Sequence, residues 1–266
     1  MAATQESAAS EEGRYLYCIA EAGERVSLGP VGIEGREVHT IPYEDICAVV
    51  HDGPPEPYES DDHEVIKAWV LAHQRAVEAA WARLGTVLPL GFGTVIKGES
   101  GGGSERNLAH WLTQEHGRLK HRLDKVRGKA EYGVQVFWDL GVVAHGLAQT
   151  SPEIRKMEED IRTKSKGVAY MYRQRLENLV KGAVETRADE CFKDFFRRIS
   201  QHADEVKVEK TKKPEHPLQM IMNLSCLVHG NRYEELGVEL DKIAQMEGFS
   251  VRFTGPWPPY SFASDA

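Results

Sequence analysis

Eleven histidines are the first residues to test for chemistry. Two histidines four apart on one helix, as in an HExxH run, present both imidazoles to a single metal ion. No pair here has that spacing. His110, His116 and His121 lie six and five residues apart and scatter around their helix, and His73 falls on an apolar stripe. They read as packed or surface histidines, with no metal site. The stretch GESGGGSE (98–105) is rich in glycine, but a phosphate cradle of the GxxxxGK[ST] kind needs a lysine and a hydroxyl after the glycines. Here Ser104 and Glu105 follow instead, and a carboxylate repels phosphate. No GxGxxG follows the first strand, and no serine sits in a GxSxG elbow. Asp61 and Asp62 are adjacent, and adjacent helical side chains diverge. They suit a helix N-terminus better than an acid/base pair. Glu131, beside Lys129, is either half of a surface ion pair or a carboxylate base. No catalytic, cofactor-binding or metal-binding residue is assigned.

The elements that hold these residues follow from the apolar periodicity. RYLYCIA (14–20) reads as a buried strand, LGPVGIEG (28–35) as a turn-rich connector, and 36–50 as two strands with a tight turn at Pro42. Asp61 with Glu64 predicts a capping box. The helix it opens buries Val65, Trp69, His73, Ala76, Ala80 and Leu84, in a stripe widened by Ile66, Val70, Val77 and Trp81. TVLPLGFGTVI (86–96) is rich in β-formers but broken by Pro89, Gly91 and Gly93, which predicts an edge strand or an irregular crossing segment. Ser104 is expected to cap a second helix that ends at Gly128.

In the second half, EYGVQVFWD (131–139) alternates as a strand, Ser151–Pro152 opens a long helical stretch interrupted near 165–167, and 203–209 and 218–228 form two strands. A helix striped by Tyr233, Leu236, Leu240 and Ile243 and a strand at 249–254 complete the order β-α-β-β-α-β. That is the order of a ferredoxin-like plait with an enlarged first helix. The expected fold class is therefore α+β with two domains: a modified sheet-and-helix domain at 14–130 and a ferredoxin-like domain at 131–254. A disordered leader at 1–13 and an extended Pro/aromatic tail at 255–266 flank them.

Composition narrows the function classes. A hydrophobic share of 41% and a charged share of 28% are those of an ordinary globular chain. No run approaches the ~18 apolar residues of a membrane helix, so no membrane partner is expected. Cys18, Cys47, Cys191 and Cys226 form no CxxC pair, and three of them lie in strand-like apolar runs. Buried thiols in a reducing cytoplasm fit. The net charge of −8 is uneven, with a balance of −12 over residues 1–66 and +4 over the rest. An acidic total argues against nucleic acid. The basic helix at 104–129, with seven Lys/Arg against three acids, offers an RNA-binding or acidic-partner face. Alternatively, it pairs within the chain with the acidic N-terminal third.

Several unusual strings then coincide in order: RYLYCIA, LGPVGIEG, ICAVV, AHQRAVEAA, VLPLGFGTV, GKAEYGVQV, GVAYMYRQR, MNLSCLV and RFTGPWPPYSF. Together they resemble the gas vesicle protein F/L family over about residues 14–262. The resemblance implies a cytoplasmic, non-enzymatic accessory or minor structural protein of gas vesicles. It implies association with the small hydrophobic shell protein, and with other gas vesicle accessory proteins, during assembly, and a position at the gas-facing surface. No cofactor is implied. Two positions depart from the family pattern. Gly91 stands where an arginine is usual, which puts transfer of a partner contact there in doubt, and Cys18 stands where a glycine is usual.

Two segments are candidates for contact. The edge segment offers Leu90, Phe92 and Thr94 to a partner, or else it only links two helices. The tail, TGPWPPYSF, holds Trp257, Tyr260 and Phe262 between prolines of fixed φ. It is expected to run along its own molecule as a clamp at the domain junction, the alternative being a detachable partner-binding element. The other function classes left open are a small-molecule-binding or enzymatic ferredoxin-like protein and, with less support, a nucleic-acid binder.

Overall fold

The computed structural model describes residues 12–98, 103–211 and 218–263. Most of the expected leader, the centre of the glycine loop and the turn at 212–217 lie outside the described residues. The chain divides into two compact units. One is Met1–Ala130 with Trp257–Ala266, and the other is Glu131–Pro256.

The first unit is built on β1 (Gly13–Ala20), every residue of which is buried. Helices pack on it from α1 (His63–Leu84) and from α2 (Ser104–Val126). A run that stays free of charge from Tyr15 to Ala20, rather than an alternating one, is what burial on both faces requires, and the one charge, Arg14, is paired with Asp52 at 2.9 Å. The sheet continues through β2 (Ser27–Gly29), β3 (Val38–Tyr43), β4 (Ile46–Gly53), β5 (Val87–Pro89) and β6 (Val95–Lys97). Its order is β2-β3-β4-β1-β5, with β6 also on β1. The register between β1 and β4 shifts between Leu16 and Cys18, so Tyr17 is an extra residue that bulges the strand. Ala72, Ala76, Val77 and Ala80 of α1 pack in one core with Tyr15, Tyr17, Cys47 and Val49. The small side chains on α1 leave room for the tyrosines.

Local signals shifted by a residue or two in this unit. Pro42 lies inside β3 opposite Cys47, and the turn falls at Glu44 and Asp45, where Glu44 has φ 52°. Asp62, not Asp61, caps α1, accepting from the Glu64 amide at 2.8 Å. Gly103, not Ser104, precedes α2, and Ser104 is its first residue. Val65 stays exposed rather than joining the α1 stripe.

The second unit holds all but the first two residues of β7 (Lys129–Asp139), then α3 (Leu140–Thr150), α4 (Pro152–Thr163), α5 (Lys166–Ser200), β8 (Glu205–Val208), β9 (Leu218–His229), α6 (Tyr233–Ala244) and all but the last residue of β10 (Phe249–Trp257). The sheet order is β10-β7-β9-β8. Val134, Val136 and Trp138 share the buried face of β7, and Phe195 of α5 meets Phe249 edge-on at 5.4 Å. Arg198 donates to Glu239 at 2.5 Å and ties α5 to α6.

Helix α3 has no counterpart in the sequence reading. Its residues, LGVVAHGLAQT, are mostly apolar, carry two glycines and have a polar side of only His145 and Gln149, so the amphipathic signal is weak. Asp139 starts it, accepting from the amides of Gly141 at 2.8 Å and Val142 at 3.1 Å. The last strand also runs three residues beyond the expected Thr254. Gly255 has φ 119°, and a Cβ there would lie 2.8 Å from the Glu131 carbonyl, so only glycine fits this approach of β10 to β7.

Candidate functional site

Leu90, Phe92 and Thr94 are brought together on one short bow at the rim of the first sheet. β5 stands at the end of the strand order, consistent with Pro89, which has no amide to donate. The Leu90 amide donates to the Tyr17 carbonyl at 2.9 Å, and the Leu16 amide donates to the Thr94 carbonyl at 2.9 Å. Both ends are thus fastened to β1, and only 91–93 bow outward, opposite the bulge at Tyr17. Phe92 is 37% exposed at the crest.

Two tyrosine–histidine pairs lie beneath this bow. The Gly93 amide donates to the Tyr15 hydroxyl at 3.0 Å, and that hydroxyl meets Nδ1 of His73 at 2.9 Å. Nε2 of His73 lies 3.2 Å from the Leu90 carbonyl. The pattern assigns the proton of His73 to Nε2 and makes Tyr15 the donor to Nδ1. In the second pair the Ile33 amide donates to the Tyr17 hydroxyl at 2.9 Å, which lies 2.7 Å from Nδ1 of His51. Tyr58 closes that chain 3.3 Å from Nε2 of His51. Tyr15 stacks on His51 with ring centres 5.1 Å apart. Burial pushes both imidazoles down to about 4, aided at His51 by the charge of Arg36. Burial likewise pushes the Tyr15 hydroxyl up to about 12 and that of Tyr17 higher still. All four groups are held neutral at pH 7, each with its hydrogen-bonding capacity directed at protein. They are packing and positioning groups.

The sequence placed His73 correctly on its stripe but missed the network. The available signal was alternation: Tyr15 and Tyr17 two apart on one strand, and His51 on β4, which faces Tyr15 in the register.

A second polar cluster joins the basic helix to the acidic N-terminal segment, within the first unit. Lys120 contacts Asp45 at 2.6 Å and Glu21 at 3.2 Å. Arg127 grips Glu21 through two nitrogens, and Arg25 meets Glu105 at 3.2 Å. His116 lies 2.8 Å from Asp45 and 3.5 Å from Glu44. Hydrogen bonds from Lys120 and then His116 hold the Asp45 carboxyl down at about 2, and Arg127 lowers that of Glu21. Glu44, Asp45 and His116 are near enough together for a metal, but the Lys120 ammonium already supplies the cation at Asp45. The intramolecular pairing raised by the charge distribution is therefore present.

The remaining candidates are separate. Glu131 lies in β7. Asp61 lies before the α1 cap. Trp257 ends β10 and is 46% exposed, so it is not the buried anchor the tail was expected to provide. Burial in the tail falls instead on Pro258, Pro259, Phe262 and Ala263, and Tyr260 packs on the core around Tyr15. No described helix is long and apolar enough to cross a membrane. The described thiols are all free and buried.

These features define a mixed helix-and-sheet protein whose main polar clusters brace its own elements. The family model for "Gas vesicle synthesis protein GvpL/GvpF" matches residues 13–264, and the chain belongs to that family. It is 28% identical over 274 residues to gas vesicle protein L1 of Halobacterium salinarum, covering 98% of this chain and 95% of that one. It is 26% identical to gas vesicle protein L of a Streptomyces species, covering 95% and 93%. Among solved structures it is similar to GvpF from an Anabaena species, with a TM-score of 0.76 at 20% identity over 96% of this chain and 99% of that one. GvpF from Microcystis aeruginosa gives a TM-score of 0.66 at 20% identity, covering 95% and 99%. At that identity the structural likeness speaks to fold.

Proposed function

We propose that this chain is a cytoplasmic, non-enzymatic accessory or minor structural protein of gas vesicles. It binds the hydrophobic shell protein during assembly. Its proposed contact is the bow of Leu90, Phe92 and Thr94. Membership of a gas vesicle synthesis family over nearly the whole chain supports the role. The observation that carries the contact is the combination of an exposed Phe92 with a backbone fastened on both sides by β1 and from beneath by Tyr15 and His73. An aromatic ring presented on a pre-ordered loop loses little conformational entropy on binding. A protein that covers apolar surface on an unassembled subunit also limits its aggregation.

The second unit is proposed to be a ferredoxin-like plait in which α3, α4 and α5 replace the first helix. The order β10-β7-β9-β8 supports it, because the fourth strand lies beside the first and the third between the first and second.

The test is capture of shell protein by the immobilised full chain. Phe92→Glu is expected to weaken capture about tenfold, the scale of one lost apolar anchor. Leu71→Glu, a charge placed on exposed α1 surface, is expected to leave it unchanged. Undiminished capture by Phe92→Glu would remove the bow as the contact. No capture by the unaltered chain would remove the shell protein as partner.

A further inference from the structure

The structure treats two of the chain's basic stretches oppositely. On α2 and at its C-terminal end, Lys120 and Arg127 are engaged with Glu21, Asp45 and Asp124. The other stretch is the turn joining α4 to α5. From Ile161 to Leu176 the sequence IRTKSKGVAYMYRQRL carries Arg162, Lys164, Lys166, Arg173 and Arg175 and no acidic residue. All five cations are exposed. None has a carboxylate within 4.0 Å among the described residues. Lys164 and Arg175 lie over the ring of Tyr172 at 5.8 and 5.9 Å, which positions them without neutralising them. Val168, Tyr170 and Met171 beside them are 42%, 61% and 60% exposed.

This surface runs on into a groove. Leu176, Val180 and Val184 follow Tyr172 at four-residue steps along α5. With Leu140 and Ala144 of α3 they line an apolar groove of about 410 Å³, with Glu177 and Lys181 among its walls. Four-residue steps keep these side chains on one ridge. From Tyr172 to Val184 the ridge is about 18 Å long, a little over three helical turns. The other wall is α3, an apolar helix with no fully buried side chain. Contiguous apolar surface beside unpaired charge marks an interaction site rather than a solvated face.

We propose that this groove and its basic end bind an amphipathic helix of a partner protein, apolar along one stripe and acidic at the end that reaches the α4–α5 turn. The groove lies between two helices, which suits a third helix seated with apolar residues at i, i+3, i+4 and i+7. Five unpaired cations at one end set the direction in which that helix lies and raise its rate of capture. A planar anionic lipid surface fits less well, because the apolar floor is recessed between helices and Glu177 stands in its wall. The site is separate from the Phe92 bow and does not depend on it.

The probe is a labelled synthetic helix of about four turns with a leucine stripe and glutamates at one end, titrated with the full chain and followed by fluorescence anisotropy. Its twin carries lysines in place of the glutamates. The expected result is saturable binding of the acidic helix, little binding of the twin, and affinity falling about tenfold both for Arg173→Glu/Arg175→Glu and for Val180→Asp. The two arginines are exposed, so circular dichroism of that variant should match the unaltered chain. Phe92→Glu should bind the probe normally, which separates this site from the shell contact. Equal binding of both twins, or undiminished binding by Arg173→Glu/Arg175→Glu, would overturn the proposal. So would binding to phosphatidylglycerol vesicles in place of the peptide. Self-association of the chain abolished by the arginine reversals would also overturn it, making a second copy the occupant.

Discussion

The Tyr15 hydroxyl lies 2.9 Å from Nδ1 of His73, and the two side chains hold opposite ends of the loop that presents Phe92. His73 reaches the Leu90 carbonyl and Tyr15 accepts from the Gly93 amide. A strand position and a helix position 58 residues apart in sequence thereby fix the bow at 91–93, with Phe92 exposed on it, at a sheet rim.

Tyr15→Phe tests that relationship. The ring is kept, but the Gly93 amide loses its acceptor and the buried Nδ1 of His73 loses its donor. Unsatisfied buried polar groups cost about 1–3 kcal/mol each, so a loss of about 2–4 kcal/mol is expected in denaturant titration. Hydrogen exchange at Gly93 should accelerate well beyond that of the β1 core amides. Uniform acceleration across the first unit would mean that the hydroxyl acts on global stability and not on the loop.

Acidification should reach the same network. His51 and His73 are neutral in the folded chain, with values near 4, against about 6.5 in an unfolded chain. Between those values the unfolded state binds more protons, so stability falls as pH falls. The full contribution is present above about pH 6.5 and is lost progressively down to about pH 4. From pH 7 to pH 5 the expected loss is about 2 kcal/mol per histidine. Asp45, held near 2, adds a smaller loss only below about pH 4. His73→Gln should be less stable at pH 7 yet show a shallower decline between pH 7 and pH 5. A decline as steep as that of the unaltered chain would assign the effect elsewhere.

What could be read from the sequence was what periodicity encodes. The apolar run at 14–20, the α1 stripe through Ala76 and Ala80, and the alternation through Val134 and Val136 each identify their element. The signals fail where side-chain polarity varies little around the axis. Helix α3 has a polar side of only His145 and Gln149 and two glycines, so the Asp139 cap is its clearest mark. The cap of α1 moved from Asp61 to Asp62 because both residues carry the same oxygen acceptors. The tyrosine–histidine network depends on strand register and on the bulge at Tyr17, which are non-local and invisible to a single stretch of sequence. The same holds for the pairing of Lys120 and Arg127 with Glu21. Charge totals suggested it, and only the fold names the partners.

Gly32 provides a steric test of the second tyrosine. A Cβ at this position would lie 2.7 Å from the Tyr17 hydroxyl and 2.8 Å from the Arg36 carbonyl. Both atoms are in use: Tyr17 bridges the Ile33 amide to His51, and the Arg36 carbonyl accepts from the Gly32 amide at 3.0 Å. Neither neighbour can move away without breaking a hydrogen bond. Gly32→Ala should therefore cost about 1–3 kcal/mol, the usual range for overpacking, and lower the first unit's melting temperature. Gly29→Ala makes a useful comparison, because no atom lies near its Cβ and the cost there would come from its φ of 81° alone. If Gly32→Ala melts like the unaltered chain, the 30–36 connector is free to shift away from Tyr17.

Of the tail's three aromatic residues, Phe262 and Tyr260 pack on the first unit and Trp257 does not. Phe262 is 3% exposed, while Trp257 is 46% exposed at the end of β10. Truncating a buried phenylalanine removes transfer free energy and leaves a cavity, so Phe262→Ala should cost about 3–5 kcal/mol. Trp257→Ala should cost under about 1 kcal/mol, as surface substitutions generally do. Because Trp257–Ala266 belongs with the first unit, the Phe262 loss should appear in that unit's transition, read by hydrogen exchange at β1. Truncation after Thr254 should reproduce the Phe262→Ala loss or exceed it, since Pro258 and Pro259 are buried as well. If truncation left β1 exchange and the melt unchanged, the tail would not stabilise its own molecule, and its aromatic residues would be available to a partner.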